Sequence, residues 1–566
     1  MKKIVLVGVN AKYTHTNPAI RYLAQYAGHP GVELFECTIN QPLDQIAQEL
    51  AAKDAALYGF SSYIWNIEYI RALAKAVPGI VLLGGPEASS APEEYLGFAD
   101  YIIRGEGEEA FRIFADKLER GEDLRQTPSL CYLQDGALRQ NPPAPYVSLG
   151  SLPIPYENLQ EFSGRVLYYE SSRGCPFRCA YCLSSLSGGV RFAPVSKVLA
   201  DLDRFVKAGV MKVKFVDRTF NANPARAREI FAHIIQRGGG TDFHFEIAAD
   251  LLDEQTCALL ERARPGQIQL EIGVQSTHPP TLAAIKRVQD FGYTAKMVRR
   301  LARAKNLHLH LDLIAGLPLE GMEQFCRSID DVMALGAEKV QLGFLKVLKG
   351  SKMQEMAEEY GILYHVSAPY EVCQTAQLSG QELAKLHQVE YLLDRTYNSG
   401  LFRHVVDYFG RQMGYANFYL QLSEQLEQEE ISPRALGEKQ MAEVLLRFCQ
   451  RSGQQMAQEM LRLDLLIKKR RPKLPAALEC DAPWKRELFR ENSGMLQNLP
   501  AGKRAWHYAR LEDFALDLCR YIREGEICPG PGRYLFDYTD WSLHDLQTGQ
   551  ETGFGNALPV LPRWEA

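Results

Sequence analysis

Residues 170–185 read ESSRGCPFRCAYCLSS and place three cysteines, Cys175, Cys179 and Cys182, within eight positions. The chain has 566 residues and twelve cysteines. Its first residues, MKKIVLVGVNAKYTHTN, carry an apolar run that breaks at Asn10 and Lys12, too short for a secretory core. No stretch approaches the ~20 apolar residues that span a bilayer, so the expected compartment is the cytoplasm. Thiols stay reduced there, and a tight cysteine group points to a metal site rather than to disulfides. A structural zinc centre wants four ligands, commonly from two paired knuckles. Cys373, Cys449, Cys480, Cys519 and Cys528 are too scattered to form the second knuckle. Buried, unreactive thiols are the other alternative.

The C-x3-C-x2-C spacing, with Tyr181 ahead of the last cysteine and a strand-like RVLYYESS (165–172) leading in, resembles the signature of the radical SAM superfamily. The resemblance implies a [4Fe-4S] cluster on Cys175, Cys179 and Cys182. Such clusters are normally held by four thiolates, and three leave one iron with an open position. In the resembling enzymes that iron chelates the amino and carboxylate groups of S-adenosylmethionine. An electron delivered through it cleaves the sulfonium bond and yields a 5'-deoxyadenosyl radical.

Downstream, strand patterns at 212–216, 243–247, 268–274, 308–314 and 339–345 alternate with amphipathic helices. With 165–172 they make six βα units, the open barrel that the resemblance implies. Parallel barrels carry their chemistry at the carboxyl ends of the strands. FVDRTFN stands where many relatives have Gly-Gly-Glu, which makes Asp217 the candidate for the methionyl amine. Glu271 and Gln275 resemble the residues that meet ribose or carboxylate. Ile314-Ala315-Gly316 resembles the adenine-contacting segment, and Tyr181 the aromatic beside adenine. Each of these is alternatively a satisfied polar group lining the barrel.

Residues 1–125 alternate strands (3–9, 32–39, 55–61, 80–83, 101–103) with helices starting near Pro18, Leu43, Ile67, Pro92 and Glu108. This rhythm predicts a doubly wound parallel sheet, with a ligand crevice at the carboxyl ends of strands 1 and 3. Those ends hold Asn10 and His15, and Ser61, Tyr63 and Trp65; strands 4 and 5 run into Gly84-Gly85 and Gly105-Glu106. No G-x-G-x-x-G follows strand 1, so a dinucleotide is not indicated. NAKYTHTNPAIRYL, GFSSYIWN, LLGGPEAS and YIIRGEGEE together resemble the cobalamin-binding domain found ahead of radical SAM domains. The D-x-H-x-x-G of mutase relatives, whose histidine ligates cobalt, is absent. The resemblance therefore implies cobalamin with its lower face covered by the loop of Tyr63, Ile64 and Trp65. His15 is either an axial ligand or a hydrogen-bonding loop histidine.

The expected fold class is α/β: a Rossmann-like cobalamin-binding domain (1–125), a Pro-rich linker (126–164), a six-unit partial barrel (165–365) and a mainly helical cap (366–566). Within the last, 532–538 reads as a strand. A net charge of −5 gives no global pull toward nucleic acid or anionic membrane. The basic run at 468–473 reads as a solvated helix end. The leading functional expectation is methylation of an unactivated carbon, with a second S-adenosylmethionine regenerating methylcobalamin. The alternatives are rearrangement, cyclisation or oxidation with cobalamin as electron shuttle, and a corrinoid-binding redox sensor. tRNA methylthiolation enzymes share the barrel but carry a second three-cysteine cluster, whereas only Cys37 and Cys131 precede Cys175 here. The expected partners are a small-molecule or peptide substrate and an electron donor such as flavodoxin or ferredoxin.

Overall fold

The computed structural model describes residues 1–162, 164–432, 434, 436–468, 474–479 and 509–554. Two compact units divide the chain, Met1–Gly321 with Gly343–Gly380, and Met322–Leu342 with Gln381–Ala566.

The first unit opens with a seven-stranded sheet of β1 (Ile4–Asn10), β2 (Val32–Thr38), β3 (Leu57–Ser61), β4 (Ile80–Gly84), β5 (Tyr101–Ile103), β6 (Leu130–Gln134) and β7 (Ala137–Gln140), in the order β2-β1-β3-β4-β5-β6-β7. Strands β1 to β5 are parallel and wound as expected. The run IVLVGVN is buried along its whole length because helices cover both faces. Val5, Val7, Phe60 and Leu83 pack into one core layer. Ile4, Leu6, Leu57 and Leu82 pack into the other, against Phe111 and Phe114 of the helix Glu108–Arg120.

Two strands were not expected. β6 and β7 form an antiparallel hairpin on the edge of the sheet, within the stretch read from its prolines as a connector. Its turn is Asp135-Gly136, both with positive φ (53° and 76°), the pairing that a two-residue hairpin turn requires. The prolines, Pro128, Pro142, Pro143 and Pro145, flank the hairpin rather than interrupt it.

The second sheet contains β8 (Val166–Tyr169), then, after the small hairpin β9 (Ser172–Arg173) and β10 (Arg191–Phe192), β11 (Lys212–Phe215), β12 (Asp242–Ile247), β13 (Ile268–Gln275), β14 (His308–Ala315) and β15 (Lys339–Phe344). Its order, β8-β11-β12-β13-β14-β15, follows the chain, and the pairings from β8 to β14 are parallel. These strands alternate strictly. Leu167, Tyr169, Val213, Phe215, Phe243, Phe245, Leu270, Leu309 and Leu311 are buried on the face under the helices, where Phe205 meets Tyr169 and Phe231 meets Phe245 at 5.6 and 5.1 Å between ring centroids. The opposite, concave face carries Tyr168, Lys214, His244, Glu246, Gln269, Glu271, His310 and Asp312.

The two sheets of this unit meet beside β8. Val166 N donates to Thr14 O at 2.9 Å, Thr16 Oγ1 donates to Val166 O at 3.1 Å, and Arg165 pairs with Glu36 at 2.8 Å.

The second unit is mainly helical, with helices Arg403–Met413, Tyr415–Gln428, Glu438–Arg451 and Gln455–Lys468. Phe409 and Phe418 stack at 5.2 Å in its core and meet Phe448 edge-on. The single strand expected at 532–538 belongs to a four-stranded antiparallel sheet built from Ala509–Leu516, Pro529–Asp537, Ser542–Asp545 and Glu551–Gly553. Residues 469–473 of the basic run, Cys480 and 555–566 lie outside the described residues. Among the described residues no helix is long and apolar enough to cross a membrane.

Candidate functional site

The cysteines sit on a loop closed by β9 and β10, which pair antiparallel. Gly174, at the mouth of the loop, has φ +102°, and a Cβ there would stand 2.0 Å from Gly189 O. The Cys175 amide donates to Ser187 Oγ at 3.2 Å, and Cys175 Sγ lies 3.4 Å from Thr219 Oγ1. Arg287 donates through Nη1 to Cys179 Sγ at 3.7 Å and to the Tyr181 hydroxyl at 3.5 Å. All three thiols are free. Three sulfur donors on one closed loop with a guanidinium beside them suit a soft, anionic iron-sulfur centre.

Asp217, the candidate for the methionyl amine, is held by serine donors at the end of β8. It is fully buried, and its carboxylate accepts from Ser171 N, Ser171 Oγ and Ser172 Oγ at 2.7, 2.6 and 2.7 Å. Arg226 caps the same turn through Ser171 O and Oγ, both at 2.9 Å. Burial raises the Asp217 carboxyl above its usual range against these bonds. Three of its about four acceptor sites are engaged in fixing the end of β8, and Asp217 is not among the residues that line the large cavity. Gln275 lies in the left-handed region with φ +71°, and its Oε1 is buried without a hydrogen-bond partner among the described residues. At Gly316, φ +83°, a Cβ would stand 2.7 Å from Val372 Cγ1. Burial pushes the Tyr181 hydroxyl well above its ordinary value.

The expected residues of the first sheet converge. Asn10, His15, Ser61, Tyr63, Trp65, Gly84, Gly85, Gly105 and Glu106 all line one cavity of about 1070 Å³, which Gly174, Leu183 and Ser184 of the cysteine loop also line. That volume is at the top of the range for small-molecule pockets, about 300–1,000 Å³, and suits a large ligand. Tyr63 and Trp65 stack at 4.3 Å with 10° between their planes, a flat aromatic plate in the wall. At Gly85, φ +103°, a Cβ would stand 2.5 Å from Ser62 O, so the chain passes there as bare backbone. Ser61 Oγ accepts from Asn17 Nδ2 at 2.9 Å, and Asn10 Nδ2 donates to the His15 carbonyl at 3.2 Å. His15 Nδ1 lies 3.0 Å from the Tyr168 hydroxyl. Burial, then the charges of Lys12 and Lys214, lower the His15 pKa and keep the ring neutral. A plate, a glycine lip and a polar rim fit the broad face of a corrin.

Two features escaped the sequence reading. Arg173, two residues before Cys175, pairs with Glu106 at 2.8 Å and with Glu108 and Glu170 at 2.7 Å each, and Arg191 also pairs with Glu106. One guanidinium thus ties the cysteine loop to the Gly105-Glu106 lip. The other feature is the polar wall of the second sheet. Glu271 Oε2 receives His244 Nε2 at 2.7 Å and Lys214 Nζ at 3.2 Å. Burial opposes ionisation of Glu271, but the His244 bond and the Lys214 charge outweigh it and hold the carboxyl well below its usual range. Burial pushes His244 down to about 3. Glu271 is therefore a carboxylate engaged by its own sheet. Lys214, Arg218 and Glu246 line the large cavity.

Family comparisons agree with this geometry. A B12 binding domain family matches residues 4–115, the radical SAM superfamily matches 169–332, and a protein family of unknown function, DUF4080, matches 358–523. An uncharacterised methyltransferase of Pyrococcus horikoshii is 28% identical over 296 residues, 49% of this chain and 62% of that protein. The cobalamin-dependent radical SAM methyltransferase TokK of Streptomyces tokunonensis is 24% identical over 354 residues, 57% of this chain and 51% of that protein. The chain thus spans about half to three fifths of the length of these curated relatives. Among solved structures, the cobalamin-dependent radical enzyme OxsB, with aqua-cobalamin and S-adenosylmethionine bound, shares the fold at TM-score 0.58 and 15% identity, covering 90% of this chain and 83% of that one. The methyltransferase TsrM of Kitasatospora setae, with cobalamin and a [4Fe-4S] cluster bound, shares it at TM-score 0.54 and 19% identity, covering 65% and 76%. The chain therefore carries a B12 binding domain, a radical SAM domain and a C-terminal DUF4080 region, in that order.

Proposed function

We propose that this protein is a cobalamin-dependent radical SAM enzyme that methylates an unactivated carbon of a small molecule. The observation that carries the reading is the shared cavity: the nine expected residues at the strand ends of the first sheet line one volume together with Gly174, Leu183, Ser184, Leu186 and Ser187 of the cysteine loop. Bound together, the cluster and S-adenosylmethionine supply a hydrogen-abstracting radical, and cobalamin supplies the methyl group.

The chain's own part is placement. Cys175, Cys179 and Cys182, all on the loop closed by β9 and β10, hold the cluster. Arg287, within 3.7 Å of Cys179 Sγ, offsets the negative charge of the thiolates. Tyr63 and Trp65 support the broad face of the corrin, and Gly84, Gly85 and Gly105 let backbone approach its edge. Arg173 keeps the lip and the cysteine loop in register.

The test is anaerobic turnover of the reconstituted protein with S-adenosylmethionine and a low-potential reductant, reading 5'-deoxyadenosine and S-adenosylhomocysteine together. Both products in step with a methylated product support methyl transfer. 5'-Deoxyadenosine without S-adenosylhomocysteine favours electron shuttling, and neither favours the sensor. Cys179→Ala is expected to remove the iron-sulfur absorbance and to bring 5'-deoxyadenosine below detection.

A further inference from the structure

The concave wall of the second sheet holds a pair of carboxylates treated very differently by their surroundings. Glu246 and Glu271 are register partners on adjacent strands, where directly opposed side chains have Cβ atoms about 5 Å apart and like charges repel. Glu271 is held as a carboxylate by a hydrogen bond from His244 and by the charge of Lys214. Glu246 has no hydrogen-bond or ion-pair partner among the described residues, and it opens into the large cavity together with Arg218. The groups facing it are Lys214 and Arg218 from β11 and the loop after it, His244 on its own strand, Glu271 from β13, His310 and Asp312 from β14, and Tyr168 from β8.

We infer that Glu246 is an acid–base residue that meets the substrate, exchanging a proton with a hydroxyl or amine of a small polar molecule held against this wall. The inference rests on the proposed function, and adds that the substrate enters the same cavity on the side of the second sheet, where Lys214, Arg218 and Glu246 line it. Two carboxylates this close do not both ionise readily, and His244 and Lys214 decide which one does. Burial first, and then the charge of Glu271, raise the Glu246 carboxyl to about 7, against the pull of Arg218 and Lys214. At neutral pH both its forms are populated, the condition under which a carboxyl serves best in proton transfer. As carboxylate it accepts the proton of a substrate O–H or N–H, the bonding pair staying on the substrate atom, and it releases that proton to solvent at the cavity mouth. Arg218 offers a complementary cation to an anionic group on the same molecule. An isoprenoid or other wholly apolar substrate finds no match on a wall of Lys214, His244, Glu246 and Glu271.

The full chain before cofactor loading is the material to test, so that failure of the radical chemistry cannot be confused with failure of this inference. Infrared difference spectra of wild type against Glu246→Gln across the neutral range are expected to show a protonated carboxyl band that fades with a midpoint near neutrality and is missing from the variant. Glu271→Gln is expected to move the midpoint down toward the ordinary carboxylate value, and Lys214→Gln to move it up. Either variant that folds decides the point. A water-soluble carbodiimide, which activates accessible protonated carboxyls, is expected to label Glu246 below the midpoint and to lose it above, as read by peptide mapping. Absence of the band, its persistence in Glu246→Gln, a midpoint unmoved by the neighbouring substitutions, or a Glu246 that stays unlabelled while surface carboxyls react would each overturn the inference.

Discussion

The two parallel sheets of the first unit are built from the same βα repeat and use it in opposite ways. In the first sheet the central strands read IVLVGVN, LYGFS and IVLLG and are apolar on both faces, so along them the charged and amide side chains appear only where the strands stop. In the second they read KVKF, DFHFEI, IQLEIGVQ and HLHLDLIA, and one whole face is polar. A sheet covered on both sides can present ligands only at its edge, whereas a curved sheet covered on one side presents an entire wall. The first arrangement suits a large planar cofactor resting on strand ends. The second suits a smaller polar molecule surrounded by side chains.

The comparison breaks most visibly on substitution of matched positions. Leu57→Lys, in the fully covered sheet, buries an unpaired cation and is expected to leave no soluble folded protein, because the penalty of several kcal/mol approaches the whole stability of a domain. His310→Leu, on the polar wall, is expected to fold, with a melting temperature close to wild type. Arg173→Met is next in size. It leaves Glu106, Glu108 and Glu170 facing one another without their shared cation, and a loss of roughly 3 kcal/mol in stability is expected from chemical denaturation. The lip and the cysteine loop then separate, and hydroxocobalamin titration, read by absorbance, is expected to weaken by at least about tenfold, or 1.4 kcal/mol.

Glu246→Gln sharpens the comparison through pH. The folded value of about 7 lies above the ordinary carboxyl value, so the folded state keeps a proton that the unfolded chain gives up, and stability falls as pH rises between the two. The variant is therefore expected to melt higher than wild type at about pH 8 and to approach it only as pH falls below the ordinary carboxyl value of about 4.3. His244, pushed down to about 3, has the opposite slope: its contribution is complete above the ordinary imidazole value and is lost as pH falls below it. Trp65→Ala is the smallest change. It removes half of the aromatic plate and is expected to weaken cobalamin by a few-fold, about 1 kcal/mol.

Much of this was legible in the residues. The strand ends around Asn10, Ser61, Gly85 and Gly105 were found because a doubly wound sheet leaves them nowhere else to be, and the cysteine spacing declared itself. The serine partners of Asp217 are not legible in the sequence, because a carboxylate after a barrel strand looks the same whether it faces a ligand or the donors of Ser171 and Ser172. Glu246 and Lys214 were passed over because attention went to strand ends, although the alternation in KVKF and DFHFEI already marked a one-sided sheet. The edge hairpin was masked by its flanking prolines, with the Asp135-Gly136 turn in plain view between them. Arg173 could be assigned only once distant acidic residues were brought beside it.

Gly174 sets a limit on how the loop can change. With Gly189 O only 2.0 Å from where a methyl group would project, even alanine at this position would prise open the neck through which residues 175–188 leave and return. The residue preceding the first cysteine is thus dictated by backbone crowding rather than by metal chemistry.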